Sequence, residues 1–296
     1  MSAFPGFSEE RAAVQQALDA FCARWLPSID SSIADAIRYS LFGGGKRVRA
    51  ILLLEAYRAC GGEGSAAALA ASVEIVHAYS LVHDDLPCMD DDDMRRGRPT
   101  VHRVYGVKVA TAAGLAMVPL AARSAADASR ALGLPEADVG GVVRDLMIAS
   151  GAGGMIGGQL LDLEAEGSPL TLEALERVHR LKTGALITAS VTLGGRAARA
   201  SVARRDALAR YGAAVGLAFQ IADDVLDVTS TTDELGKTAG RDLALQKSTY
   251  PALLGVNGAM ERAMALVDDG CAALCSEGLL TPTLEHLARF IVERRS

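Results

Sequence analysis

Segments of helical periodicity follow one another along nearly the whole chain, and no convincing stretch shows the two-residue alternation of a half-buried strand. That property argues against sandwiches, barrels and parallel α/β sheets. It predicts helices near 8–24, 30–41, 46–60, 65–86, 101–129, 136–151, 171–195, 201–230, 247–256, 258–276 and 281–294. The breaks are short and carry glycine or proline: Gly43 to Gly45, Gly61 to Gly64, Gly133 to Pro135, Gly167 to Pro169. Composition agrees. Half of the 296 residues are apolar, enough for a large core, while aromatic residues make up only 4%, which favours close-packed helices rich in Ala and Leu. No linker divides the chain into two composition regimes, so a single all-α domain over 1–296 is expected.

Several function classes recede on charge and composition. A formal charge of −6 argues against a general nucleic-acid surface, which needs a basic footprint. Five cysteines, without a CxxC pair, are read as reduced thiols in a cytosol. The first residues, "MSAFPGFSEERAAVQQ", show no basic region followed by an apolar stretch, and the longest apolar run, Val109 to Ala122, is short of a membrane span and contains Pro119. A soluble, cytoplasmic protein is expected. The small-residue stretch "SGAGGMIGGQLLDL" (150–163) lacks the order of a phosphate loop; its glycines let two helices, or a helix and a ligand, approach closely.

Chemistry concentrates in "HDDLPCMDDDDMRRGRP" (83–99), where six aspartates fall within ten positions and three arginines follow. Carboxylates so close resist ionising unless cations sit among them. Asp84 and Asp85 come at the end of a helical pattern (Leu69, Val73, Val76, Leu81), Pro87 breaks the turn, and Asp90 is carried back on the loop. Oxygen ligands from several directions suit magnesium, which also keeps waters and shares phosphate oxygens. A second group lies in "FQIADDVLDV" (219–228): Asp223 and Asp227 are four apart and share a helix face, with Asp224 beside them, all among apolar residues. Two such clusters on apolar helices are expected to face one cavity.

Cations complete the set. "GGGKRVR" (43–49) sets Lys46 and Arg49 three apart where a helix begins, so amides and both side chains can point at one anion. Arg95 and Arg96 close the aspartate loop, and Lys182, Thr183, Lys237 and Lys247 add donors. Acidic pairs with scattered lysines and arginines suit a ligand carrying several phosphates bridged by metal.

In order and spacing, "GGGKRVR", "HAYSLVHDDLPCMDDDDMRRGRPTVH", "GGQLLDL", "LKTGAL", "FQIADDVLD" and "LGKTAGRDLALQKSTYPALLG" resemble the trans-prenyl diphosphate synthase family, of the bacterial farnesyl diphosphate synthase type. The resemblance implies an isoprenoid-synthase-type helical bundle around a deep cavity, homodimeric, with segment 109–122 a candidate interface. It implies that Asp84, Asp85, Asp90, Asp223, Asp224 and Asp227 hold several Mg²⁺ ions, with Mn²⁺ a possible substitute. The metals would lie on an allylic diphosphate gripped by Arg95, Lys182, Lys237 and Lys247. Lys46, Arg49, His77 and Arg96 would bind isopentenyl diphosphate, and the oxygens of Thr183 and Gln220 would face a developing carbocation.

Tyr79, five residues before Asp84, and Ser80 would set product length, with C15 ahead of C20. Ala50 and Ala222 depart from the family's frequent proline and glutamine without touching the ligand set. Three rival readings stand beside this one: a geranylgeranyl diphosphate synthase; a terpene cyclase, which has no use for Lys46, Arg49 and His77; and a silent partner subunit, which would have lost an aspartate motif. His83, His102 and Cys88 receive no catalytic role, and Arg294 and Arg295 are read as solvated.

Overall fold

A computed structural model describes residues 6–229 and 248–293 of the chain. It is all-α; the strands among the described residues are a single two-residue pair, Met94–Arg95 with Arg98–Pro99. The chain forms two compact units, one from residues 3–54 and 64–143, the other from 1–2, 55–63 and 144–296. The chain changes unit within helix α3 (Val48–Ala59), between residues 54 and 55, in the turn between residues 63 and 64, and within helix α7 (Glu136–Ser150), between residues 143 and 144.

In the first unit, α4 (Ala67–Asp84) packs against α1 (Ser8–Trp25), α2 (Ser31–Leu41) and α6 (Val107–Ala131). α4 is buried on nearly every side: Leu69, Val73, Ile75 and Val76 are fully enclosed, which places the aspartates at the end of a fixed rod. α2 starts where Asp30 accepts a hydrogen bond from the amide of Ser32 at 3.0 Å, satisfying one of the orphan donors of the first turn. The helix expected over 101–129 is divided at Gly106, whose φ of +84° is readily adopted only without a side chain, into α5 (Val101–Tyr105) and α6.

α6 is longer than the apolar run that marks it, and it carries Pro119 without ending. Both Val107–Ala131 and the stretch Glu136–Glu164 are long and apolar enough to cross a membrane by length and composition. Length therefore does not separate them from membrane helices. For α6, packing on α4 supplies a place inside the chain for its apolar face.

The second unit contains α8 (Met155–Glu164), α9 (Leu172–His179), a π-helical turn (Arg180–Gly184), α10 (Ala185–Ala197), α11 (Val202–Thr229), α12 (Tyr250–Cys275) and α13 (Pro282–Glu293). α11 is its axis, packed along α10 and α12. Small residues set the spacing: a Cβ on Gly216 would lie 2.8 Å from the Cα of Gly184, and one on Gly158 would lie 2.1 Å from the amide nitrogen of Lys182. Gly158 thus brings α8 against the π-helical turn, the close approach expected of the small-residue stretch. α8 itself had no helical expectation, because glycine masks its periodicity. α12 is interrupted at Gly255 (φ +71°), close to the boundary between the two expected helices. Tyr211 is fully enclosed and donates to the Leu284 carbonyl at 2.7 Å, tying α11 to α13.

Candidate active site

The first aspartate region is a helix end closed by its own loop. Asp84 is the last residue of α4, and the Asp90 amide donates to the Asp84 carbonyl at 2.8 Å, so the loop returns to the helix end as the sequence requires. Asp85 is buried (3% exposed). Nε of Arg95 donates to its two oxygens at 2.7 and 3.0 Å, and Nη2 lies 2.5 Å from Oδ1. Burial raises the Asp85 carboxyl above its ordinary range, against the pull of the Arg95 guanidinium. The β-pair places Arg95 opposite Arg98 and gives the returning chain a defined path.

The glycine-rich turn before α3 belongs to the same unit. Lys46 lies two residues ahead of the helix, and Arg49 in its first turn. Nη1 of Arg96 donates to the Gly44 carbonyl. A Cβ on Gly45 would lie 2.7 Å from that nitrogen, and with φ +135° the position is suited to glycine twice over. Buried Glu74 organises the turn: it accepts from Arg47 Nη1 at 3.1 Å and from the Ala50 amide at 3.2 Å. Arg49 Nη1 is 3.4 Å from Nε2 of His77. Desolvation first, then Arg49, Arg96, Arg95 and Arg47, hold the His77 imidazole well below its ordinary value. A neutral histidine among four guanidiniums marks a place where positive charge has been gathered, which suits an anionic group.

Two residues were expected to limit the product. Tyr79 is buried (4% exposed) with its ring edge-on to His83 at 5.4 Å, and His83 packs against Gly114 with Nε2 3.1 Å from the Thr111 carbonyl. Burial and Asp84 push the Tyr79 phenol to about 12. Ser80 donates to the His77 carbonyl at 2.9 Å. A pocket beside the loop is lined by Tyr39, Ala78, Leu81, Asp85, Arg95 and Arg98, among others, on a different face of α4 from Tyr79.

The second aspartate region belongs to the other unit. Asp223 is half-buried, while Asp224 and Asp227 are buried at 2% and 4% exposure. Asp224 is encircled by protein donors: Gln220 Nε2 reaches Oδ1 at 3.2 Å, and His179 Nε2 and the Tyr250 amide reach Oδ2 at 3.2 and 3.0 Å. Thr183 donates to Gln220 Oε1 at 2.9 Å, and Lys182 lies 2.7 Å from Asp162. The π-helical turn adds a residue to the helix there and so re-aims Lys182 and Thr183, a feature frequent at functional sites. Lys237, Lys247, Arg294 and Arg295 lie outside the described residues.

The structure therefore brings Asp84, Asp85, Asp90 and Arg95 together at the end of α4, and Lys46, Arg49, His77 and Arg96 around the glycine turn. Thr183, Gln220, Asp223, Asp224 and Asp227 come together along α11, with Lys182 on the adjoining turn. Sequence reasoning missed Glu74, Asp162, His179 and Tyr250. Glu74 had a signal, a charge inside the apolar run "AASVEIVHAYS" one turn before His77. Asp162 and Tyr250 lie within the quoted motifs "GGQLLDL" and "LGKTAGRDLALQKSTYPALLG" without having been singled out, and His179 had no signal, since its partner Asp224 is 45 residues away.

The donors fit a hard cation in kind, being carboxylate oxygens. Among the described residues no three His, Cys, Asp or Glu side chains form a complete metal cage, which is the situation magnesium meets when it draws remaining ligands from water and substrate phosphate.

An all-α chain with two carboxylate groups on helices and a basic glycine turn defines the class of helical diphosphate-handling proteins. The polyprenyl synthetase family model matches residues 30–269, and the chain belongs to that family. It is 45% identical over 287 residues to farnesyl diphosphate synthase of Escherichia coli (strain K12), covering 94% of each chain. It is 42% identical to a chloroplastic geranylgeranyl pyrophosphate synthase of Capsicum annuum, covering 88% of this chain and 69% of that one. A solved structure of an FPP/GFPP synthase from Zymomonas mobilis is similar with a TM-score of 0.80 and 34% identity, covering 96% and 97% of the two chains.

Proposed function

We propose that the chain is a prenyltransferase that condenses isopentenyl diphosphate with dimethylallyl and then geranyl diphosphate to give farnesyl diphosphate. The observation that carries this reading is the pairing of the folded-back aspartate loop with the arginine cluster around neutral His77. One anion would be held through carboxylates and metal, and a second through cations alone. Asp84, Asp85, Asp90, Asp223, Asp224 and Asp227 would hold magnesium, with Asp85 also accepting from Arg95 and Asp224 from Gln220, His179 and the Tyr250 amide. Bound magnesium would offset charge on the departing diphosphate.

The residues' tasks follow from their chemistry. Arg95 and Lys182, with Lys237 and Lys247, grip the allylic diphosphate, whose C1–O bond breaks with both electrons leaving on oxygen. Lys46, Arg49, His77 and Arg96 hold isopentenyl diphosphate so that its double bond attacks C1. A proton then leaves C2 of the former isopentenyl unit, and the released diphosphate accepts it. Thr183 and Gln220 offer oxygens to the transient cation, and the ionisation requires that water, which would trap it, be excluded. A cytoplasmic homodimer belongs to this reading.

The test is incubation with Mg²⁺, isopentenyl diphosphate and geranyl diphosphate, followed by chromatography of the dephosphorylated prenols. C15 is expected. Predominant C20 would favour the geranylgeranyl reading, to which the similarity to the Capsicum annuum protein gives weight; a cyclised hydrocarbon or no product would overturn the proposal.

A further inference from the structure

Glu74 is a carboxylate that the proposed reaction does not use, yet it is only 3% exposed and lies one helical turn before His77 on α4. A buried charge persists only where partners take up its oxygens. Oε2 accepts from Arg47 Nη1 at 3.1 Å, and Oε1 accepts from the Ala50 amide at 3.2 Å. Both partners belong to the entry into α3. Arg47 is the last residue before that helix, and its carbonyl accepts from the Ile51 amide at 3.0 Å. Ala50 is the third helical residue, so its amide is among those that a helix by itself leaves without a partner. Glu74 therefore caps α3 from another helix.

The residue that Glu74 grips has an uncommon backbone. Arg47 has φ +55°, in the left-handed region that a residue with a Cβ disfavours. Its Nη2 donates to the Leu41 carbonyl at 2.6 Å, and its side chain is 10% exposed. Between Lys46 and Arg49, the intervening cation is thus turned into the protein and held at both terminal nitrogens. This hold keeps the chain entering α3 in a direction it would not otherwise favour. The direction sets where Lys46 stands relative to Arg49, whose Nη1 is 3.4 Å from His77 Nε2.

Charge makes the arrangement informative. Arg49, Arg96, Arg95 and Arg47 all act on His77; burial first, then Arg95, lower the Arg96 pKa, and Glu74 opposes them. By charge alone, a carboxylate within reach of these groups weakens their hold on an anion. Glu74 must then contribute through geometry.

We propose that Glu74 is a positioning residue for the diphosphate held by cations alone: by fixing Arg47 and the Ala50 amide, it sets the turn from which Lys46 and Arg49 serve that group. The inference rests on the prenyltransferase reading for the identity of the ligand, while the geometry of the turn does not.

The sign of one substitution separates positioning from electrostatics. Glu74→Gln keeps the shape and an acceptor for the Ala50 amide but removes the charge that pairs with Arg47. Calorimetry of isopentenyl diphosphate binding to the full-length protein in EDTA isolates the cluster that needs no metal. Acting by charge alone, Glu74 would leave the variant binding the anion more tightly. Positioning requires the opposite, a Kd raised by at least about tenfold. In the Mg²⁺-dependent prenol assay, KM for isopentenyl diphosphate rises to a similar extent, while kcat and KM for geranyl diphosphate stay within about threefold. An unchanged or lower Kd overturns the proposal, and so does an equal rise in both KM values.

A paired variant guards against simple misfolding. Removing one member of a buried ion pair is strongly destabilising, whereas replacing both with apolar residues of similar volume is often tolerated. Arg47→Met combined with Glu74→Leu is expected to melt near the unmodified protein and still to bind isopentenyl diphosphate at least about tenfold more weakly. If Glu74→Gln does not fold, this pair decides: a Kd within about threefold of the unmodified protein overturns the positioning role. If the unmodified protein binds isopentenyl diphosphate without metal but makes no prenol, the prenyltransferase reading fails and the Kd comparison still decides the role of Glu74. If it binds none without metal, the proposal falls.

Discussion

The two aspartate regions answer the same electrostatic problem in opposite ways. At the end of α4, buried Asp85 is met by the guanidinium of Arg95, a full opposite charge only ten residues along the chain. In α11, buried Asp224 is met by an amide, a carboxamide and an imidazole, from residues 26, 4 and 45 positions away. An ion pair needs attraction at short range and tolerates a partly exposed partner; the Arg95 side chain is 32% exposed. A network of directional donors demands packed helices to hold each one in line. The first region can therefore assemble from a loop, and the second requires the tertiary arrangement of its unit.

Removing a proposed metal ligand from either region is expected to have the largest effect and to make the two look alike. Asp84→Ala and Asp223→Ala each reduce turnover by more than about 1,000-fold with helical content near that of the unmodified protein. Circular dichroism and the prenol assay check this, and near-normal turnover in saturating Mg²⁺ removes that aspartate from the mechanism. Arg49→Ala separates the two substrates. It raises KM for isopentenyl diphosphate by about tenfold or more and leaves KM for the allylic diphosphate nearly unchanged; equal changes would defeat the assignment of the His77 cluster to one substrate.

Tyr79 tests whether α4 does more than carry carboxylates. Tyr79→Ala removes a buried ring that rests on His83, lowering stability by about 3 kcal/mol. If the ring closes the product pocket, the main prenol also shifts from C15 to C20 and beyond. A lowered melting temperature with unchanged C15 assigns Tyr79 to packing alone.

Asp85→Asn reads the ion pair itself. It lowers stability by about 1–2 kcal/mol, discounted for the exposure of Arg95, and the loss shrinks in high salt. Urea unfolding at two ionic strengths measures it; a salt-independent loss would mean that Asp85 acts through hydrogen bonding and not through the charge of Arg95.

The smallest effect is the pH dependence of His77. Its folded pKa lies below the ordinary 6.5, so the unfolded chain takes up the proton first. The stability associated with neutral His77 is present above pH 6.5 and is lost as pH falls below it. His77→Gln flattens that decline, and an unchanged slope between pH 7 and 5 in the variant would show that other groups carry it.

Much of this was legible one element at a time. Glycine and proline punctuation marked most helix boundaries because those residues act on their own backbone. The return of Asp90 to Asp84 followed from Pro87 and a loop too short to go elsewhere. α8 escaped because glycines occupy positions where periodicity would be read; the same glycines signalled a close approach, and the structure supplied its partner, the Lys182 backbone. The split at Gly106 escaped because a single left-handed residue does not disturb the hydrophobic pattern on either side.

By itself the sequence determined the helical class, the order of the motifs and which residue types stand ready for diphosphate and metal, since these depend on local propensity and on chemistry carried by single side chains. Tertiary structure decided which donors meet the buried carboxylates Asp85 and Asp224. Asp85 met Arg95, and Asp224 met His179 and Tyr250, because burial leaves a carboxylate stable only where donors arrive from packed neighbours. Where those neighbours lie is fixed by how whole helices pack, at separations of up to 45 residues, beyond the reach of any local pattern.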